Sequence, residues 1–306
     1  MSDAAIPEKP DIVPEDYVHS ANSLFHFVKS SEYLMEALQR RALCPRYCVE
    51  DVRYLNLTIN GDRYEDVAVL QKCFCDLPLQ NVIRKFPVTL SENNVGLTEK
   101  QREMIPTECS HPDLYGGFAI ALSKSWGERH NLQPVHYMVE GANDVTEFSK
   151  SLITAYNEES FPEIIADSMI NRICIMKPVR GRMKRWHEEG KFEYEIFKNF
   201  HDEHEWRYVP QGSIDSLVTN AGLVQTRDLL NQMSDSIAKE KYKGIWLPYR
   251  FADIRYIVVP DNGKRIEIIK AINALEDNLF DPEDIDLQKQ LLISKIIVIE
   301  EITKDL

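Results

Sequence analysis

The chain has 306 residues, of which 43% are hydrophobic and 28% charged, and its net charge is −13. This is a globular composition with enough apolar material for one large domain or two modest ones. The acidic field excludes a protein that binds nucleic acid through its overall charge, and no apolar run approaches the length of a membrane span.

Residues 1–14 are polar and rich in proline and acid. They lack the basic start and apolar centre of a signal peptide, so residues 1–20 read as a disordered tail of a cytoplasmic protein. A strand is predicted over 23–29, with His26 between aromatics, and a helix over 31–42 from the spacing of Tyr33, Leu34, Leu38 and Ala42. Residues 49–66 are polar and mixed, with a turn at Asn60-Gly61-Asp62. A strand follows over 67–74, then a short helix over 79–86 and a long 87–113 loop with a helix near 98–104. Residues 115–123 read as a strong strand, opened by Gly116-Gly117, and 134–140 as its antiparallel return. A helical pair is expected over 144–171, broken at Phe161-Pro162, with a short strand at 173–176. Beyond it come a strand at 205–209, a helix at 225–241, a strand at 253–259, a helix at 264–275 and a long β-branched strand at 291–299. Strands and helices mix without regular alternation, which predicts an α+β fold with largely antiparallel sheets.

Glycine is scarce, at 12 residues, and no glycine-rich phosphate loop is present. The six cysteines read as reduced thiols. Cys44, Cys48, Cys73 and Cys75 could be four zinc ligands, but neither pair has the usual C-x-x-C spacing and Cys73 and Cys75 lie in an apolar strand, so core cysteines are the preferred reading, with no metal. A basic run, Lys177 to His187, holds Arg180, Arg182, Lys184 and Arg185 beside Trp186. It reads as a solvated helix face or loop, or as a patch on which an unpaired base stacks. Arg46, Tyr47, Glu50 and Asp76 are secondary candidates, with surface charge pairs as the plainer reading.

The densest chemistry lies at His201-Asp202-Glu203-His204-Glu205, which runs into Trp206-Arg207-Tyr208. In a strand, residues two apart share a face, so Glu203, Glu205 and Arg207 project together while His204, Trp206 and Tyr208 point the other way. Two carboxylates and a guanidinium on one face fit either a polar-ligand site or a structural Glu–Arg pair.

Leu24-Phe25-His26-Phe27, Phe118 to Trp126 and Glu203-His204-Glu205-Trp206-Arg207 occur in that order, with Cys73-Phe74-Cys75-Asp76-Leu77-Pro78 and Tyr256-Ile257-Val258-Val259-Pro260 among their surroundings. Together they resemble the AbiGi-type abortive-infection proteins of bacterial phage defence, from about residue 22 onward. The first three stretches also resemble the signature positions of ADP-ribosyltransferases. That resemblance implies a split, twisted, mainly antiparallel sheet with flanking helices, in one domain over 21–306 with helical insertions. It implies NAD as substrate, Glu205 as the carboxylate that stabilises an oxocarbenium-like ribose, and Glu203 as the group that orients the nucleophile. His26, Phe27, Ser123 and Ser125 would hold NAD, and Arg182, Arg185 and Trp186 the macromolecular target, protein or nucleic acid. The AbiGi resemblance also implies the alternative of an inactive antitoxin or interaction module that binds a cognate toxin.

Overall fold

The long Asp66–Cys75 strand is the spine of the main sheet, and successive parts of it take different partners. Arg46–Asp51 pairs antiparallel with residues 66–71, and Val218–Asn220 with Val67–Val69. Glu205–Tyr208 pairs antiparallel with residues 72–75. Ser23–Val28 meets the spine at one pair only, Phe25 opposite Cys75, and then runs antiparallel to Phe118–Ser123 along its full length. Ile254–Val259 and Ile296–Val298 complete this side, the last pair parallel. Among the described residues the result is a nine-stranded, mainly antiparallel sheet whose two halves are joined in strand pairing at a single residue pair. The computed structural model describes residues 21–59, 61–157, 162–210, 218–220 and 227–305. The tail expected over 1–20 lies outside them.

Strand alternation sorts the core. Leu24, Phe74, Ile120 and Ile257 face helices Ser31–Arg40 and Asn262–Asn273, where Leu34, Leu38, Ile268 and Ile272 meet them. Phe25, Cys75, Ala119, Ala121 and Val258 line the opposite face. Val67 and Val69 belong to a further cluster closed by helices Asn143–Asn157 and Glu163–Cys174. Gly116 ends helix His111–Tyr115 at a φ of 122°, and a Cβ there would overlap the Val28 carbonyl. Only glycine lets the chain pass so close to the first strand.

Several expectations are corrected. The basic run is neither helix nor loop: Arg180–His187 is a strand paired with Phe192–Asn199, in a separate three-stranded sheet with Thr89–Leu90. Charge density masked its alternation. The 134–140 segment does not return onto Phe118–Ser123. Gln133–Pro134 pairs with the Glu205–Tyr208 strand, and His136–Met138 runs parallel to Met176–Pro178. Residues 173–174 close a helix, and that strand begins at Met176. The β-branched 291–299 run is mostly helix, Ile285–Ser294, with only Ile296–Val298 as strand. Helical spacing explains it, because Leu292 and Ile293 pack on the core while Leu287 and Leu291, one turn apart, are exposed. The polar 49–66 segment contains strand Arg46–Asp51 and a hairpin of Leu57–Ile59 with Asp62–Tyr64. Asn60 of its turn and Phe161 of the expected helix break lie outside the described residues, as do 225 and 226 of the helix that starts at Arg227.

Candidate functional site: a buried ionic network beside a cavity

Glu205 and Arg207 stand opposite Cys75 and Cys73, so one strand face carries both. Glu203 reaches the same side by another route. It ends the 3-10 turn Phe200–Glu203, and His204 then adopts a left-handed conformation, φ 45°, that resets the chain into the strand. Glu203, Glu205 and Arg207 are 3%, 4% and 1% exposed.

Buried charge on this scale needs compensation. Arg207 donates from Nε to Glu205 Oε1 at 2.6 Å, from Nη2 to Glu205 Oε2 at 3.3 Å, and from Nη1 to the Cys174 carbonyl at 2.8 Å. Its Nη2 also lies 2.9 Å from Glu50 Oε2, while Gln71 Nε2 donates to Glu50 Oε1 at 2.6 Å. Lys177 Nζ bridges Glu205 Oε2 at 2.8 Å and Glu203 Oε2 at 3.4 Å. Lys198 and the Tyr115 hydroxyl both donate to Glu203 Oε1. Three acids, Glu50, Glu203 and Glu205, therefore face three cations, Lys177, Lys198 and Arg207. Burial alone would raise the Glu205 carboxyl, but Arg207 and Lys177 outweigh it and hold the group at about 2. Burial likewise opposes Lys198 and Lys177 at Glu203, and the cations win there too. Both carboxylates are ionised at neutral pH.

A cavity of about 920 Å³ lies beside this network. Glu203, Glu205, Lys177 and Tyr115 line it, as do His26 and Phe27. The volume is in the range that small-molecule ligands occupy.

The structure brings together some of the expected site residues and not others. Glu203, Glu205, His26 and Phe27 share the cavity, but His26 and Glu205 belong to opposite faces of the sheet. Glu205, Cys75 and Phe25 are in register, and His26 is the next residue along. The His26 ring packs 5.6 Å from that of Phe74, and its Nδ1 lies 3.0 Å from the Cys73 carbonyl where the two half-sheets part. Burial pushes its pKa down, and Lys72 adds to the effect. Ser123 and Ser125 do not line the cavity. Ser123 caps helix Lys124–Arg129 by accepting from the Trp126 amide at 3.3 Å, and Ser125 donates to Ser123 at 3.3 Å. The expected convergence of His26, these serines and Glu205 is therefore corrected: the serines serve a helix start. Arg182 lines the cavity 3.7 Å from Glu195. Arg185 turns the other way and donates to the Leu114 carbonyl, and Trp186 lies under the Arg227 guanidinium at 5.5 Å. Asp76 is buried against Lys124 at 2.5 Å, and Arg46 pairs with Asp235 at 3.4 Å. Tyr47 packs near Ala68 and Leu230. Of the secondary candidates only Glu50 joins the network. Among the described residues no group of three or more potential metal ligands gathers.

Lys177, Lys198 and Tyr115 were not singled out as partners of the acidic pair. The one available signal was Lys198 standing two residues from apolar Ile196, on the same strand face.

Fold and site together define a mixed α/β protein with a charge-balanced ionic core beside a ligand-sized cavity. A family model for the abortive phage resistance protein AbiGi, described as an antitoxin, matches residues 105–260. The abortive phage resistance protein AbiGi of Lactococcus lactis subsp. cremoris is 30% identical over 273 residues, covering 86% of this chain and 99% of that protein. The chain belongs to the AbiGi family of abortive phage resistance proteins. No solved structure matches it. No helix among the described residues is long and apolar enough to cross a membrane.

Proposed function

We propose that the chain serves phage defence as an antitoxin, a binding protein that restrains a cognate toxin, and that its Glu203/Glu205 pair belongs to the folded core. The observation that carries this reading is the occupancy of the carboxylates. Both Glu205 oxygens are engaged by Arg207, one of them also by Lys177, and both Glu203 oxygens are engaged by cations. A carboxylate that stabilises a ribose cation must present a lone pair to the substrate, and these oxygens are turned to protein donors. The family description as an antitoxin supports the same reading, and a net charge of −13 suits a basic partner.

The second reading is an NAD-dependent ADP-ribosyltransferase effector. It rests on His26, Phe27, Glu203 and Glu205 lining one cavity, and it requires Lys177 to release Glu205 when NAD enters. The two readings separate when purified protein is incubated with labelled NAD, alone and with lysate, RNA and DNA, beside a Glu205→Gln control. The antitoxin reading expects no label transfer and no heat of NAD binding, together with capture of a toxin whose growth arrest co-expression relieves. Transfer that disappears in Glu205→Gln would replace it with the transferase reading and identify the target class.

A further inference from the structure

A second cavity, of about 480 Å³, is walled by helices Ser31–Arg40 and Arg227–Ile237 and reaches the spine strand at Lys72. It adjoins the first cavity, and His26, Phe27, Tyr115 and Arg227 line both. Its charge is opposite in sign to that of the chain. Five cations line it, Lys29, Arg40, Arg46, Lys72 and Arg227, against two acids, Glu36 and Asp235. Glu36 takes Arg40 at 2.6 Å, and Arg46 has only long contacts, 3.4 Å to Asp235 and 3.4 Å to Asn231. Lys29 and Arg227 share one carboxylate from outside the cavity, Glu188, at 3.1 and 3.8 Å. Three acids therefore serve five cations, and His26, kept neutral by burial and by Lys72, adds no charge.

Lys72 is the cation left over. Among the described residues it has no hydrogen bond and no ion pair. It stands opposite Tyr208, while its neighbours Gln71 and Cys73 face Glu50 and Arg207. Alternation thus turns Lys72 away from the ionic network, onto the face of Leu70 and Phe74. Burial lowers its pKa to about 8, so at neutral pH it is still an ammonium. Elsewhere the fold neutralises its buried cations: Lys177, Lys198 and Arg207 each meet a carboxylate. A half-buried ammonium without a counter-charge is costly, and an anion in the cavity would supply what the chain does not.

We propose that the second cavity binds a small phosphate monoester, its phosphate held by Lys72 and Arg46 and its organic group against Phe27, Tyr33 and Leu43. Arg46 stands opposite Gln71, one residue from Lys72, so the two cations approach from adjacent strands. A phosphate dianion matches the excess of two positive charges. Lys72 supplies a point charge and Arg46 a fork of donors. The volume is more than inorganic phosphate fills and lies in the range of small organic ligands.

The test is calorimetric titration of the full chain at neutral pH with phenyl phosphate, inorganic phosphate and phenol. Phenyl phosphate is expected to bind more tightly than either of the others. Lys72→Met should weaken it roughly tenfold or more, the loss of a charge-assisted contact. Arg63→Met, at an exposed residue of the first cavity paired with Glu65 at 3.8 Å, should leave the affinity unchanged. A second measurement needs no variant. Phenyl phosphate should protect Lys72 of the wild-type chain from acetylation by acetic anhydride, read by peptide mass, while exposed Lys150 reacts as before. No heat with phenyl phosphate at millimolar concentration overturns the proposal, as does binding indifferent to Lys72→Met with Lys72 unprotected. Loss of affinity in Arg63→Met would put the anion in the first cavity and overturns it too. Inorganic phosphate bound as tightly as phenyl phosphate overturns the monoester assignment.

Discussion

Arg207→Met is expected to lower folding stability by about 3–5 kcal/mol, the range for removing one partner of a buried ion pair. Methionine keeps much of the side-chain volume, so the loss is electrostatic rather than steric. Arg207 is 1% exposed and serves Glu205, Glu50 and the Cys174 carbonyl together. Its removal leaves three acids, the buried Glu203 and Glu205 and the half-buried Glu50, facing two lysines. Urea unfolding monitored by circular dichroism measures the effect. Adding Glu50→Gln restores neutrality, with two acids facing two cations, and should recover at least half of the loss. A single Arg207→Met variant within 1 kcal/mol of wild type would show that the network relaxes or admits water, and the structural account of Glu205 would fall with it.

Acidification is expected to weaken the fold well before the carboxylates titrate. His111 is buried between the rings of Phe86, at 5.8 Å, and Tyr115, at 6.2 Å, and neither ring nitrogen has a hydrogen-bond partner among the described residues. Burial, reinforced by Lys198, lowers its pKa from 6.5 to about 4. Between those values the unfolded chain binds the proton and the folded chain does not. Stability therefore rises with pH across this window and is lost as pH falls from 6.5 toward 4. Between pH 7 and pH 5 the loss from His111 alone is roughly 2 kcal/mol. His26, also lowered, acts in the same direction. The acidic pair has the opposite ordinary form but the same direction of loss. Glu205 is depressed to about 2 and Glu203 further, so their contribution is complete above about 4.5 and disappears only below it. His111→Phe should fit between the same rings and remove the His111 share of the pH 7 to pH 5 loss, roughly 2 kcal/mol, leaving that of His26. If urea midpoints of His111→Phe and wild type fall in parallel over that interval, His111 is not its source.

The shared face of Glu205 and Arg207 was legible because alternation in a strand is local. Glu203 was placed on that face for an incomplete reason, since it reaches there through a 3-10 turn and a left-handed His204. The cations were hidden because Lys177 and Lys198 come from strands outside the main sheet, and their approach depends on how the sheets pack. Ser123 and Ser125 illustrate the reverse problem. Their residue types suited a cofactor site, while the local demand of an uncapped helix amide determined their role. The 291–299 run failed for a third reason, because β-branched composition describes a strand and a buried helix equally well until packing decides.

The single pair between Phe25 and Cys75 has a mechanical consequence. Most neighbouring strands in a sheet resist shear through a row of backbone hydrogen bonds, each loaded together with the next. Here that row is reduced to one rung and one imidazole, with His26 bonded to the Cys73 carbonyl. Sliding or opening of one half against the other is therefore opposed mainly by side chains. The same seam borders the cavity, so whatever enters there would act as a wedge along a line joined by one strand pair and would be felt on both halves at once.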